Sequence, residues 1–368
     1  MTAPPAQALG WPAESAQFTP RVRSSLLLEA AALAAGLDTM RLTRWAFLGG
    51  SPASAHETGF HETMSVETSR AGVRACEDRI HRKSALIEAG LQVPTSRRFG
   101  DGQVDDAIAF ALTLRRGVVL KPRSAERPSL RRRLRAEEDI RSALRSYQEE
   151  LGRHSTFLVE QFQPGAEYAF YVVGSQVVSV VRRSRSRWSD EIYRAGPGGF
   201  GHVDPHLLDT AVEALHAMPS MPHGMVVLTC RDIEDAPDRA TVLSVSPKIG
   251  LVARYISPEW SLHLSRCVVA HAARGQLDTA EPLAMLTAEV TLNDVHDSRA
   301  VADAITAWMP GHRIDGEVTT GQARTVTTTL RCTPGQAAAL SGLAHVGKLG
   351  GRPPETVSIR RLAEEGST

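Results

Sequence analysis

The chain has 368 residues, 42% of them hydrophobic and 23% charged, and carries a formal net charge of +1 at pH 7. The length suggests two or three domains, and the apolar fraction is enough for a core without staples. A near-neutral balance gives no global pull toward nucleic acid or membrane, no apolar run reaches the roughly 18 residues of a membrane span, and the scattered Cys76, Cys230, Cys267 and Cys332 form no CxxC pair, so neither a zinc site nor a disulfide framework is indicated.

Residues 1 to about 20 are rich in Pro and Ala and are expected to be poorly ordered at the start. They lack a basic segment followed by an apolar core, so no signal peptide is expected and the expected location is cytoplasmic. The run Leu26–Ala35 has high helix propensity and stops at Gly36. Asp38–Leu42 suits a short strand, and Gly49–Thr63 reads as loop. The pattern predicts helices over Glu77–Ala89 and Asp105–Leu114, the first ending at Gly90. Val118–Pro122 is an apolar β-type run ending on Lys121 and Pro122.

The segment from Arg123 to Arg135 holds six arginines and no glycine. It reads as a solvated basic loop running into a helix over Ala136–Leu151. Phe157–Phe162 is a second apolar run, carrying Glu160, and a turn at Gln163-Pro164-Gly165 leads to Glu167. Tyr168–Val173 and Gln176–Val181 read as a hairpin across Gly174-Ser175, closed by Arg182 and Arg183. A lysine at a strand end suits a phosphate. Two carboxylates seven residues apart across a turn suit an adenine amino group and ribose hydroxyls, although a single Glu in such a place is commonly just solvated.

Gly196–Gly201 lacks the spacing of a dinucleotide fingerprint and reads as a substrate-side loop. Pro205–Met218 is helical in pattern, and the strands Gly224–Thr229 and Val242–Pro247 follow. His202, His206, His216 and His223 show no metal-ligand spacing. Ser257–Ala273 is a further helix. The remainder alternates as strand (Glu289–Leu292), helix (Asp297–Met309), strands (Ile314–Thr320 and Arg324–Cys332), helix from the N-cap Thr333 to about Val346, and strand (Pro354–Leu362). This βαββαβ order is the ferredoxin-like pattern.

The order of strand, lysine, helix, strand, carboxylate and hairpin resembles the ATP-grasp superfamily of ATP-dependent carboxylate–amine ligases, which includes D-alanine–D-alanine ligase, glutathione synthetase and cyanophycin synthetase. The resemblance runs from about Cys76 to Gly275. It is carried by Asp78-Arg79, Ala89–Pro94, Leu120-Lys121-Pro122, Val159–Phe162, Gly165-Ala166-Glu167 and Val242–Pro247. It implies an α+β protein: a short N-terminal α/β pre-domain (1–75), an ATP-grasp domain (76–280) and the ferredoxin-like βαββαβ domain (284–363). It implies ATP as ligand, with Arg79 and Lys121 on phosphates, Glu160 and Glu167 on the nucleoside, and Arg182 or Arg183 on the transferring phosphate.

Three positions depart from the family pattern. The family holds two Mg²⁺ ions with an acid on one strand and Glu and Asn on the next. This chain has Val226 and Val227 on the first, and Ser244 and Ser246 on the second. No metal ligand is assigned, and Mg²⁺ is not expected at these positions. Asp232, Glu234, Asp235 and Asp238 lie in the loop between the strands. The glycine-rich phosphate loop of the family is also replaced by the arginine segment, whose Pro128 removes one backbone donor.

Three functions follow from this reading. The first is an ATP-dependent ligase joining a small-molecule carboxylate to an amine through an acyl-phosphate. The second is a pseudo-ligase, a partner or scaffold of another biosynthetic enzyme. The third is polyanion binding through Arg123–Arg135, with nucleic acid disfavoured by the lack of interleaved aromatics. A homo-oligomer, possible contact with a protein partner and no membrane are the expected associations.

Overall fold

The computed structural model describes residues 18–51, 58–100, 102–125, 130–151, 156–184, 187–194, 199–234, 240–251, 258–274 and 284–362. Contacts divide the chain into two compact units, Met1–Glu67 with Gly250–Thr368, and Thr68–Ile249. The expectations for residues 1–17, Gly196–Gly198, Asp235 and Asp238 lie outside the described residues.

The first unit is assembled from both ends of the chain. Helix α1 (Pro20–Ala34) starts with proline at its first position and ends before Gly36, whose φ of +87° reverses the chain. Strands β1 (Asp38–Thr43), β2 (Ala46–Gly50), β3 (Thr58–His61) and β4 (Met64–Ser65) follow. The expected loop at Gly49–Thr63 therefore contains a strand: Phe60 is buried and stacks on Phe47 at 5.3 Å across the β2–β3 pair.

Four more strands come from the other end of the chain: β14 (Leu286–Asn293), β15 (Asp315–Thr320), β16 (Val326–Cys332) and β17 (Thr356–Arg361), alternating with helices α8 (Ser298–Gly311) and α9 (Pro334–His345). Their order, β15-β16-β14-β17 with antiparallel neighbours, is the ferredoxin-like topology expected from sequence. Helix α9 opens on a full capping box between Thr333 and Gln336. The sheet then continues past β17 into β1-β2-β3-β4, giving eight strands.

Segments 1–75 and 284–363, separate in the sequence-based division, thus share a sheet. They also share a core, in which Val22, Leu26 and Leu33 of α1 pack with Val290, Leu330, Leu340 and Ile359. The reason is physical. Four short strands and one helix cannot bury their own apolar face, whereas the free edge of β17 offers a ladder to complete. Helix α7 (Pro258–Ala272), expected to close the middle domain, packs on α1 in this first unit.

The second unit begins with α2 (Arg70–Glu77), a helix not expected from the sequence, followed by α3 (Arg79–Glu88), which corresponds to the helix expected over Glu77–Ala89. Asp78 separates them. Its backbone is extended (φ −97°, ψ 108°), and its carboxylate caps α3 by accepting from the amides of Ile80 and His81. Strand β5 (Ser96–Phe99), helix α4 (Val104–Thr113), strands β6 (Val118–Pro122) and β7 (Leu130–Leu134), helix α5 (Glu137–Leu151) and strand β8 (Phe157–Gln161) build a four-stranded sheet in the order β5-β8-β6-β7. The arginine-rich segment, expected as loop, supplies β7. Leu134 pairs with Val118 and is buried, so an apolar residue at the end of the basic run decides the strand.

Strands β9 (Ala166–Val173), β10 (Gln176–Ser184), β11 (Arg187–Arg194), β12 (His223–Cys230) and β13 (Thr241–Ser246) form a second sheet in the order β11-β10-β9-β12-β13. The expected hairpin is β9–β10. Helix α6 (Pro205–His216) buries Leu207, Ala211 and Leu215 against this sheet.

Candidate functional site

One face of the four-stranded sheet is apolar. Val118 and Leu120 of β6, with Phe157 and Val159 of β8, pack beneath Ile108 and Ala111 of α4 and Leu144 of α5. Strand alternation sends Lys121 and Glu160 to the opposite face. There Glu160 is 6% exposed, a position a carboxylate occupies only when paired.

The partners are two lysines. Lys121 Nζ lies 2.5 Å from one oxygen of Glu160, and Lys83 Nζ lies 2.9 Å from the other. Lys83 comes from α3 and donates also to Ser96 Oγ on β5, at 2.6 Å. Burial works against the Glu160 charge. Lys121 and then Lys83 outweigh it and hold the carboxyl below its ordinary value. Burial likewise pulls Lys83 down, against the attraction of Glu160. The lysine side chains remain 15% and 17% exposed while that of Glu160 is 7% exposed. The acid is the inner member, and the ammonium groups stand between it and solvent. Two cations on one anion leave a net positive charge facing outward.

Lys83 was not among the residues expected to bind. Its signal was present: it is one of four lysines in an arginine-dominated chain, four residues beyond Arg79 on the same helix. Arg79 itself serves the backbone. It donates to Pro122 O at 2.7 Å and to Ser124 O, latching α3 onto the end of β6. Arg123 is paired with Asp78 at 2.7 Å.

Glu167 and Arg183 are direct cross-strand partners on β9 and β10 and form an ion pair at 2.5 Å. Arg182 points to the other side of β10, opposite Tyr168, and is exposed. The structure therefore brings Lys121 together with Glu160, and Glu167 with Arg183, while Arg79 and Arg182 stand outside both pairs.

The positions at which the resemblance implies metal ligands lie on β12 and β13. Val227 is paired with Ser244, Val226 with Val245, and Met225 with Ser246. Val226 and Val227 are buried, and Ser246 Oγ accepts from Lys248 N at 3.1 Å, which engages one of its lone pairs in a local turn. Such a set does not fit Mg²⁺, which needs charged oxygen ligands. Among the described residues, no group of three His, Cys, Asp or Glu side chains is arranged to hold a metal. Asp232 accepts from Glu234 N at 3.0 Å, an exposed loop contact.

Within the arginine segment, Arg133 donates to Arg116 O at 2.7 Å and its guanidinium lies 4.8 Å over the Phe162 ring. Two described arginines of the segment, Arg123 and Arg133, are thus engaged within the protein itself. Among the described residues no helix is long and apolar enough to cross a membrane.

No family model matches the chain, and no curated protein matches it. Solved structures similar to it include ATP-grasp ligases. They include the ATP-grasp ligase PsnB complexed with minimal precursor (15% identity, 50% of this chain and 56% of that one, TM-score 0.37). A bifunctional glutathione synthetase from Pasteurella multocida is another (16% identity, 66% and 44%, TM-score 0.45). A third is D-alanine–D-alanine ligase from Bacillus anthracis complexed with ATP (13% identity, 56% and 68%, TM-score 0.42). The matched region spans about half the length of the first two.

Proposed function

We propose that this chain is a nucleotide-binding protein of the ATP-grasp carboxylate–amine ligase lineage that has lost metal-dependent turnover and serves as a partner or scaffold of another biosynthetic enzyme. The observation that carries the reading is the contrast between two places in the second unit. The Lys83–Glu160–Lys121 cluster keeps a preorganised cationic surface. The β12–β13 pair offers valine and serine where acyl-phosphate chemistry needs acids.

ATP fits the first place by charge. Lys121 and Lys83 would hold its phosphates as point charges. Glu160, with both oxygens engaged by ammonium groups, would orient those lysines more than it would read a base. Glu167 would hold a ribose hydroxyl beside Arg183. Bound ATP supplies a transferable phosphoryl group. The protein groups described above bind and orient, and none of them replaces the divalent charge that stabilises phosphoryl transfer, worth several kcal/mol.

The experiment is calorimetric titration with ATP, with and without Mg²⁺, on the full chain and on Lys83→Ala and Lys121→Ala. The reading expects ATP to bind without metal and each alanine to weaken it by about 1.5–3 kcal/mol, the contribution of a charged hydrogen bond. Tight binding only with Mg²⁺, with ADP released when a carboxylate and an amine are supplied, would establish an active ligase instead. No binding in either condition would remove the nucleotide site altogether.

A further inference from the structure

A cavity of about 630 Å³ lies wholly within the first unit. Its size is that of a small-molecule site. Phe18, Trp45 and Leu343 give it an apolar wall, and the charged residues lining it, Arg21, Arg44 and Lys348, are all basic. The Arg44 guanidinium lies 4.1 Å over the Trp45 ring, which orients the cation at the edge of the wall. Arg21 is shared with Glu62 at 3.5 Å. Among the described residues no carboxylate pairs with Arg44 or Lys348.

The two helix ends that meet the cavity are treated differently. At the end of α9, the carbonyls of Leu343 and Ala344 are closed by the amides of Lys348 (2.9 Å) and Gly347 (3.1 Å). At the start of α1, Thr19 makes no side-chain cap and Pro20 has no N–H, so among the described residues no side chain caps the positive end of that helix. An apolar wall, unpaired cations and an uncapped helix start demand the same ligand chemistry, an apolar body with an anionic head.

We infer that this cavity binds an amphipathic carboxylate, its acyl body against Phe18, Trp45 and Leu343 and its carboxylate among Arg44, Lys348 and the first amides of α1. The inference is independent of the nucleotide reading.

Equilibrium dialysis of the full chain tests it, with dodecanoate as probe and dodecan-1-ol and dodecyltrimethylammonium as neutral and cationic counterparts, all below their micellar concentrations. One saturable dodecanoate site is expected, with the alcohol and the ammonium at least about tenfold weaker, a loss of the order of one charged contact. Arg44→Ala and Lys348→Ala should each weaken dodecanoate by about tenfold without changing the alcohol. Both residues are exposed, so both variants should keep the parent circular dichroism. Absence of a saturable site, equal affinity for the alcohol, or dodecanoate binding unchanged in both variants would overturn the inference.

Discussion

Glu160 shows how a single side chain acquires its role from its neighbours. In isolation it is a carboxylate near a strand end. In the fold it is buried between Lys83 and Lys121, and its carboxyl lies below the ordinary value of 4.5. A depressed folded-state pKa contributes stability that is present above the unfolded value and lost as pH falls through the folded one. Glu160→Gln should therefore lower stability by about 3 kcal/mol at pH 7, because two ammonium groups are left facing a neutral amide. The deficit relative to the parent should shrink below pH 4.5 as the parent carboxylate is protonated. Urea unfolding of both proteins between pH 7 and pH 3 measures this, and a deficit constant with pH would show that the ion pairs do not hold the site together. The same logic explains why Lys83 was legible only in part. Its rarity and helical spacing were visible, but its approach to Glu160, 77 positions away, is made by the fold.

At the scale of elements, the turn between β8 and β9 decides where Glu167 stands relative to Arg183. Gly165 carries a φ of +122°, and a Cβ there would lie 2.5 Å from the carbonyl oxygen of Cys230 on β12. No side chain fits that approach without moving backbone. Gly165→Ala should cost about 2 kcal/mol or more, read as a drop in the urea midpoint. The Arg183–Glu167 pair should loosen with it, because β9 must shift away from β12. An unchanged midpoint would mean that this turn relaxes freely. The turn itself was legible as Gln-Pro-Gly, and so was the β9–β10 hairpin. Strand β7 was not, because its arginines outweigh Leu134 in any local count and only pairing with Val118 shows why the segment is extended.

At the scale of the molecule, the first unit is closed by a polar knot in its core. Arg41 of β1 and Glu29 of α1 are fully buried and paired, Ser341 of α9 accepts from Arg41 Nε at 2.8 Å, and Ser25 accepts from its Nη1 at 3.2 Å. Burial raises the Glu29 pKa in spite of Arg41. The knot ties a helix and strand from the start of the chain to a helix about 300 residues later. Arg41→Met should cost about 3–5 kcal/mol by stranding Glu29 in the core, and adding Glu29→Leu should return much of that loss. Thermal unfolding of the single and double variants checks this, and additive losses in the double variant would show that the two residues are not coupled.

What the sequence by itself determined was local and periodic: the helix over Asp297–Met309 and the one that begins at the Thr333 cap, the strand over Glu289–Leu292, the β9–β10 hairpin, the ferredoxin-like order, and the order of Lys121, Glu160 and Glu167. Each depends on residues a few positions apart. Only the tertiary structure decided that β1 completes the edge of β17, that Lys83 joins Lys121 on one carboxylate, and that Arg79 is occupied by the carbonyls of Pro122 and Ser124. Those pairings follow from burial, which forces every ladder edge, carbonyl and charge removed from water to find a partner wherever the chain places one.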